Sequence, residues 1–233
     1  MHYLIENPLF GLVLSLLAFE IGCFIYKKFK APIFNPLLIA VTLIIVFLLI
    51  TDISFDTYNE GAHFINLFLG PSTVVLAVPL YKQLKLLKEN FLPIITGVFI
   101  GCIFGIISIL LLSYLLNLDM TIIKSLAAKS VTTPIGIEIT KELGGITSIT
   151  IAAIIISGII GAVMGPLVCR IFKIQDKIAV GISLGTAAHA IGTTKAMELG
   201  EVEGAMSSLS MGLSGIITVF LAPLLIKIIW LFL

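Results

Sequence analysis

Lys129-Ser130-Val131-Thr132-Thr133-Pro134 places a cation, three hydroxyls and a helix breaker within six residues of a strongly apolar chain. Proline disfavours helical backbone at the residue before it. A helix should therefore break at Thr133, with Thr133 as cap and Pro134 in the first helical position. A second group, Gly70-Pro71-Ser72-Thr73, repeats this helix-start chemistry. A third, Gly185 to Thr194, holds His189 between Gly185 and Gly192, with Thr193 directly after Gly192. Helix N-termini carry partial positive charge and bind anions. Lys129 could counter a carboxylate directly. His189 could donate to it or carry a proton, or be a packed, hydrogen-bonded residue. Lys195 reads as a side chain reaching the interface near Glu198. The substrate-binding candidates are thus Ser72, Thr73, Lys129, Ser130, Thr132, Thr133, His189 and Thr193. The helix breaks are Gly70, Pro71, Pro134, Gly185 and Gly192.

The elements that hold these groups must sit in a membrane. Hydrophobic residues make up 59% of the 233 and charged residues 12%, with mean hydropathy +1.19. Soluble domains run near 45–50% apolar and about 25% charged. A net charge of +1 argues against nucleic acid. Cys23, Cys102 and Cys169 lie in apolar runs without a CxxC pair and read as buried small hydrophobes. Hydrolase, P-loop and zinc-protease motifs are missing, and the three histidines are too scattered for a ligand set. Neither enzyme, metal nor cofactor is expected.

The chain reads as one all-α polytopic integral membrane domain over 1–233. Apolar runs of span length cover roughly 8–27, 33–51, 62–81, 91–116, 147–169, 178–197 and 204–232. Cytoplasmic loops collect Lys and Arg. That puts Lys27, Lys28 and Lys30, then Lys82, Lys85 and Lys88, then Arg170, Lys173 and Lys177 inside. Glu198, Glu201 and Glu203 then fall outside. Both halves agree if 119–145 is re-entrant on the outer side, giving seven spans. The alternative lets this segment cross, giving eight.

Gly70 and Gly185 lie 115 positions apart (185 − 70), as do Gly97 and Gly212 (212 − 97). The expected architecture is an inverted internal repeat of about 31–118 and 146–233 with discontinuous helices. Paired breaks of this kind point to a transporter's midplane site. Gly97, Gly101 and Gly105, with Gly161/Gly165 and Gly181/Gly185, suit close helix packing, within the chain, in a homo-oligomer or against a partner. The lysine clusters could also meet anionic membrane lipid.

Four stretches together resemble the LrgB/CidB family of bacterial membrane proteins: Gly70 to Gln83, Lys129 to Ile135, Gly185 to Thr193, and Gly200 to Leu209. The resemblance covers nearly the whole chain. Ala128 stands where the family often has proline. The resemblance implies a multi-pass protein of the cell membrane and antiholin-like control of murein hydrolase activity and lysis. It also implies a small holin-like membrane partner of the LrgA/CidA type. Related proteins are similar to carriers of small carboxylates, pyruvate in bacteria and glycolate with glycerate in plastids. Two readings follow. One is a small-monocarboxylate transporter linked to lysis control. The other is an antiholin-like interaction protein that modulates a holin-like pore without transport of its own.

Overall fold

The computed structural model describes residues 7–29, 34–75 and 77–230. Lys30 lies outside them. Among the described residues every regular element is helical, as the bilayer demands when backbone groups must be satisfied within the segment. The chain divides into two compact units, Met1–Val75 and Leu76–Leu233.

In the first unit, α1 (Phe10–Phe29) and α2 (Pro36–Thr51) run antiparallel. Gly22 of α1 abuts the Pro36 carbonyl, and the Phe10 and Phe47 rings lie 6.3 Å apart. Asn35 caps α2, its side chain accepting from Leu37 N at 2.9 Å. Then α3 (Phe55–Ala62) leads through a 3-10 turn at His63–Phe68 to the short α4 (Leu69–Val75). Gly70 and Pro71 open α4, so the apolar run read as a span over 62–81 is a series of short helices.

The second unit begins with α5 (Ala77–Lys82) and α6 (Leu84–Glu89). Two long helices follow, each leading to a hairpin. First come α7 (Phe91–Leu115) and the pair α8 (Met120–Leu126) and α9 (Thr133–Leu143). Then come α10 (Thr147–Ile171) and α11 (Lys177–Leu199), and α12 (Glu201–Trp230) closes the chain. Among the described residues four helices are long and apolar enough to cross a membrane: α1, α7, α10 and α12.

Contacts give the directions. Along α10, Thr150 Oγ1 donates to the Ser125 carbonyl at 2.8 Å, and Ser157 Oγ donates to the Lys129 carbonyl at 3.1 Å. So α8 runs parallel to α10. Gly136 packs on Ile154, and Thr140 Oγ1 meets Thr150 Oγ1 at 2.8 Å, so α9 runs back. Thr150 has one proton and gives it to Ser125, so Thr140 is the donor between the two threonines. Residues 119–145 thus form a hairpin with both ends at the start of α10, where Ile146 N donates to Ser125 Oγ at 2.7 Å.

The second hairpin departs from the span expected over 178–197. His189 has φ 42° and ψ −129°, outside helical geometry. Before it, Gly181 and Gly185 of α11 press on the Glu203 and Ser207 carbonyls, parallel to α12. After it, Gly192 packs back on the Leu184 carbonyl, Thr193 bonds Ser207 Oγ at 2.9 Å, and Met197 lies against Gly204. The chain reverses at His189 and returns to the end it left. Glu198, Glu201 and Glu203 therefore share an end with Lys173 and Lys177, and Lys82 Nζ lies 3.4 Å from Glu201 Oε1. The expected placement of these glutamates opposite the lysines is overturned by that contact. Glutamate counts for little in setting orientation; the Lys and Arg excess decides.

Matched landmarks recur at 56–57 positions rather than 115. Phe91 and Thr147 open helices of 25 residues each. Asn117 and Lys173 follow them with φ of 50° and 56° (173 − 117 = 56). Asp119 and Asp176 are the N-caps of α8 and α11. Gly144 and Gly200 end the two hairpins. Cys102 Sγ lies 3.9 Å from the Ser214 carbonyl, and Ile94 and Val98 pack with Ala205 and Met206, so α7 is parallel to α12. Since α12 parallels the first arm of α11 and that arm runs against α10, with Gly161 on Ala188 and Gly165 on Leu184, α7 and α10 are antiparallel. The two helix–hairpin segments enter from opposite ends.

Candidate functional site: a cavity at the hairpin tips

The turns of both hairpins meet on α10. Ser157 holds the Lys129 carbonyl, and the adjacent Gly158 leaves room for the His189 ring, which a Cβ there would approach to 2.6 Å at Cε1. A carbonyl can only accept, so His189 Nε2–H donates to the Ile154 oxygen at 3.0 Å. His189 and Thr193 are 2% and 1% exposed. Thr193 Oγ1 donates to the His189 carbonyl at 2.9 Å and accepts from Ser207 Oγ. Both side chains thus fasten the reversal of α11 to its neighbours, His189 to α10 and Thr193 to α12.

Beside the tips lies a cavity of about 570 Å³. Its floor is the glycine face of α7, Gly97, Gly101 and Gly105. One wall is the first arm of α11, including Ile182, Ser183 and Thr186. Its deep end holds Lys129 and Ser130, and its mouth holds Asn90 and Asp176. The glycines read as packing contacts hold α7 close to α11, with a Cβ at Gly101 meeting Thr186 Cγ2 at 3.0 Å. They also leave the space: larger side chains here would fill it.

Lys129 Nζ donates to Ser130 Oγ at 2.9 Å. Among the described residues no carboxylate is within ion-pair distance of it. Lys195, by contrast, pairs with Glu198 Oε2 at 2.7 Å. Asp176 Oδ1 is engaged as a cap, accepting from Ala179 N at 2.8 Å. Thr186 Oγ1 is buried and has no hydrogen-bond partner.

Of the eight sequence candidates, Lys129 and Ser130 line this cavity. Thr132 is the N-cap of α9, with no side-chain cap bond, which moves Thr133 and Pro134 one position into the helix. Neither threonine is among the cavity-lining residues. The side chains of Ser72 and Thr73 lie outside the described residues, and their backbone belongs to the first unit. Sequence reasoning missed Asn90, Asp176, Ser183 and Thr186. Asp176 carried a readable signal, an acidic cap before an apolar helix. Thr186 lay inside the Gly185–Thr194 break, but hydroxyl satisfaction is a tertiary property.

A model of the LrgB-like family matches residues 15–228. The chain belongs to the LrgB-like family. It is 38% identical over 224 residues to the antiholin-like protein LrgB of Bacillus subtilis (strain 168), covering 96% of this chain and 97% of that one. It is 37% identical, with the same coverage, to the proteins of that name from Bacillus cereus (strain B4264) and Bacillus anthracis (strain CDC 684 / NRRL 3495). No solved structure matches. As an LrgB-family protein with several long apolar helices, the chain is a multi-pass membrane protein.

Proposed function

We propose that this LrgB-family chain carries small monocarboxylates across the cell membrane, and that its link to lysis control follows from that transport. One observation carries the reading: Lys129 stands at the tip of a membrane hairpin, half-buried in a cavity, with Ser130 beside it and, among the described residues, no carboxylate partner. An ionisable residue at such depth is costly unless paired and marks a substrate or ion path. A bound carboxylate would supply the missing charge. The small volume and the single cation suit a short monoanion. A second carboxylate would meet Asp176 at the mouth. The excess of Lys and Arg at the α6 and α10–α11 ends makes the mouth cytoplasmic.

The test is uptake of labelled pyruvate, glycolate and lactate into proteoliposomes, with and without a small holin-like partner of the LrgA/CidA type. Uptake by the chain alone is the expected result. The second reading, an antiholin-like regulator without transport, is favoured by the name of its relatives. Gly101→Leu separates the two. It fills the cavity floor, so a carrier loses uptake and lysis control together. A regulator of a pore keeps lysis control, and wild-type liposomes show no uptake.

A further inference from the structure

Both hairpin tips lean on α10 and stand off α7. On α10, a Cβ at Gly161 would lie 2.5 Å from Ala188 Cβ, and the His189 ring sits against Gly158. The first hairpin is held to the same helix by Thr150 on the Ser125 carbonyl and Ser157 on the Lys129 carbonyl. On α7 the approaches are looser. A Cβ at Gly97 would meet Ile182 Cγ2 at 3.7 Å, and one at Gly105 would meet Ser130 Oγ at 4.0 Å; the nearest approach, at Gly101, is 3.0 Å to Thr186 Cγ2. The cavity is the gap that this lean leaves along α7.

The walls of that gap have counterparts on the other side. At the 56-residue spacing of Phe91 and Thr147 (147 − 91 = 56), the floor residues Gly97, Gly101 and Gly105 fall on Ala153, Ser157 and Gly161 of α10. At the 57-residue spacing of the two N-caps (176 − 119 = 57), Ile182 of the wall falls on Ser125 and Asp176 of the mouth on Asp119. Both long helices thus carry small residues on three successive turns of the face turned to the hairpins, which lets a neighbouring backbone come close. Small residues are already in use on α10, where the tips are packed. On α7 they leave room that is not yet filled.

We propose that a second entrance to the site runs along α10, closed in this structure. Ala153, Ser157 and Gly161 line one side of it, Asp119 and Ser125 the other, and it opens at the end opposite the first mouth. It opens when the tips leave α10 and settle on the glycine face of α7, which closes the present cavity. Lys129 and Ser130 then face the cytoplasm in one state and the outside in the other. Antiparallel repeats of like build can exchange their arrangements, and that exchange presents a shared site to each side in turn. The proposal deepens the transport reading above by naming the seam that must part.

The experiment places single cysteines at Gly97 and Ala153 in a chain whose Cys23, Cys102 and Cys169 are replaced by alanine. Each is exposed to an impermeant maleimide from either side of the membrane, and uptake of labelled pyruvate is measured on the parent chain. Gly97→Cys should react from the cytoplasmic side and Ala153→Cys from the outer side. Adding Thr150→Val removes a seam bond and should raise outer labelling of Ala153→Cys about three- to fivefold while lowering that of Gly97→Cys. Thr42→Val, which loses a bond to its own helix, should change neither. Ser157→Ala takes the place of Thr150→Val should that variant fail to fold. If Ala153→Cys stays unlabelled from outside, with and without the seam variant, in a chain that takes up pyruvate, the entrance is overturned and the transport reading stands. Reaction of both cysteines from one side overturns it as well. Outer labelling of Ala153→Cys in a chain that carries nothing keeps the entrance and removes the transport reading. No outer labelling and no uptake removes both.

Discussion

Lys129→Met removes the ammonium while keeping most of the stem, and its effect can be sized from the surroundings. The side chain is half-buried and donates to the neutral Ser130 hydroxyl, and among the described residues no carboxylate lies within ion-pair distance of it. The anion it would hold is desolvated in a cavity within the apolar part of the fold. A hydrogen bond to a charged group contributes about 1.5–3 kcal/mol, and breaking one partner of a buried ion pair costs about 3–5 kcal/mol. Half-burial places the loss near 2–4 kcal/mol. At about 1.4 kcal/mol per tenfold, uptake below saturation should fall about 30- to 1,000-fold. Lys195 gives the control. Its pair with Glu198 is partly exposed, with side chains 25% and 52% accessible, and such pairs contribute about 0–1 kcal/mol. Lys195→Met should therefore cost less than about fivefold. Initial rates of labelled pyruvate uptake decide between them, with folding checked by size-exclusion chromatography. A Lys129→Met protein that is folded and transports within threefold of wild type would remove the charge argument.

Three further outcomes follow from the same geometry. Cysteines placed at Lys173 and Glu198 should react with an impermeant maleimide from the same side of the membrane; labelling from opposite sides would mean that α11 crosses rather than turns at His189. Asp176→Asn should keep the α11 cap but remove the negative charge at the mouth, so succinate should compete for pyruvate uptake several-fold better than in wild type, and unchanged competition would clear Asp176 of any filtering role. Gly185→Ala pushes a methyl onto the Ser207 carbonyl and Ser210 Oγ and should destabilise by about 1–3 kcal/mol. Gly212→Ala, with nothing within 4 Å of its Cβ, should stabilise by about 0.5–1 kcal/mol, and equal melting temperatures for the pair would contradict the packing described.

Composition disclosed the membrane and Pro134 disclosed the first hairpin, because both are local properties of the chain. The reversal at His189 was less legible. The run 178–197 reads as a span in the sequence, and hydropathy does not register direction. What turns the chain is the φ of His189 and the Gly192 approach to Leu184, held by the His189 bond to α10 and the bond between Ser207 of α12 and Thr193. The acidic residues around the α11–α12 turn, read by charge as lying opposite the lysines, share their end, as the Lys82–Glu201 contact shows. Gly97 and Gly212 shared a 115-residue spacing by composition. In the fold one lines a cavity and the other has open space around it.

The 56–57-residue correspondence bears on why the cavity sits where it does. Applied to Lys129, it lands on Thr186 (186 − 129 = 57), so these two cavity-lining residues occupy equivalent places on two hairpins that enter from opposite ends. The contact of Ser157 with the Lys129 carbonyl has its counterpart in the approach of Gly101 to Thr186. That of Thr150 with Ser125 corresponds to the packing of Ile94 with Ile182. The same scaffold thus holds each hairpin tip against a long helix, with polar bonds on one side and a glycine face with apolar packing on the other. Interhelical hydrogen bonds in membranes contribute about 1 kcal/mol each. The bonds of Thr140, Thr150, Ser125 and Ser157 are therefore enough to fix the first hairpin in one place on α10. Among the described residues the α7–α11 side has no such bonds across it, and that is the side on which the cavity opens.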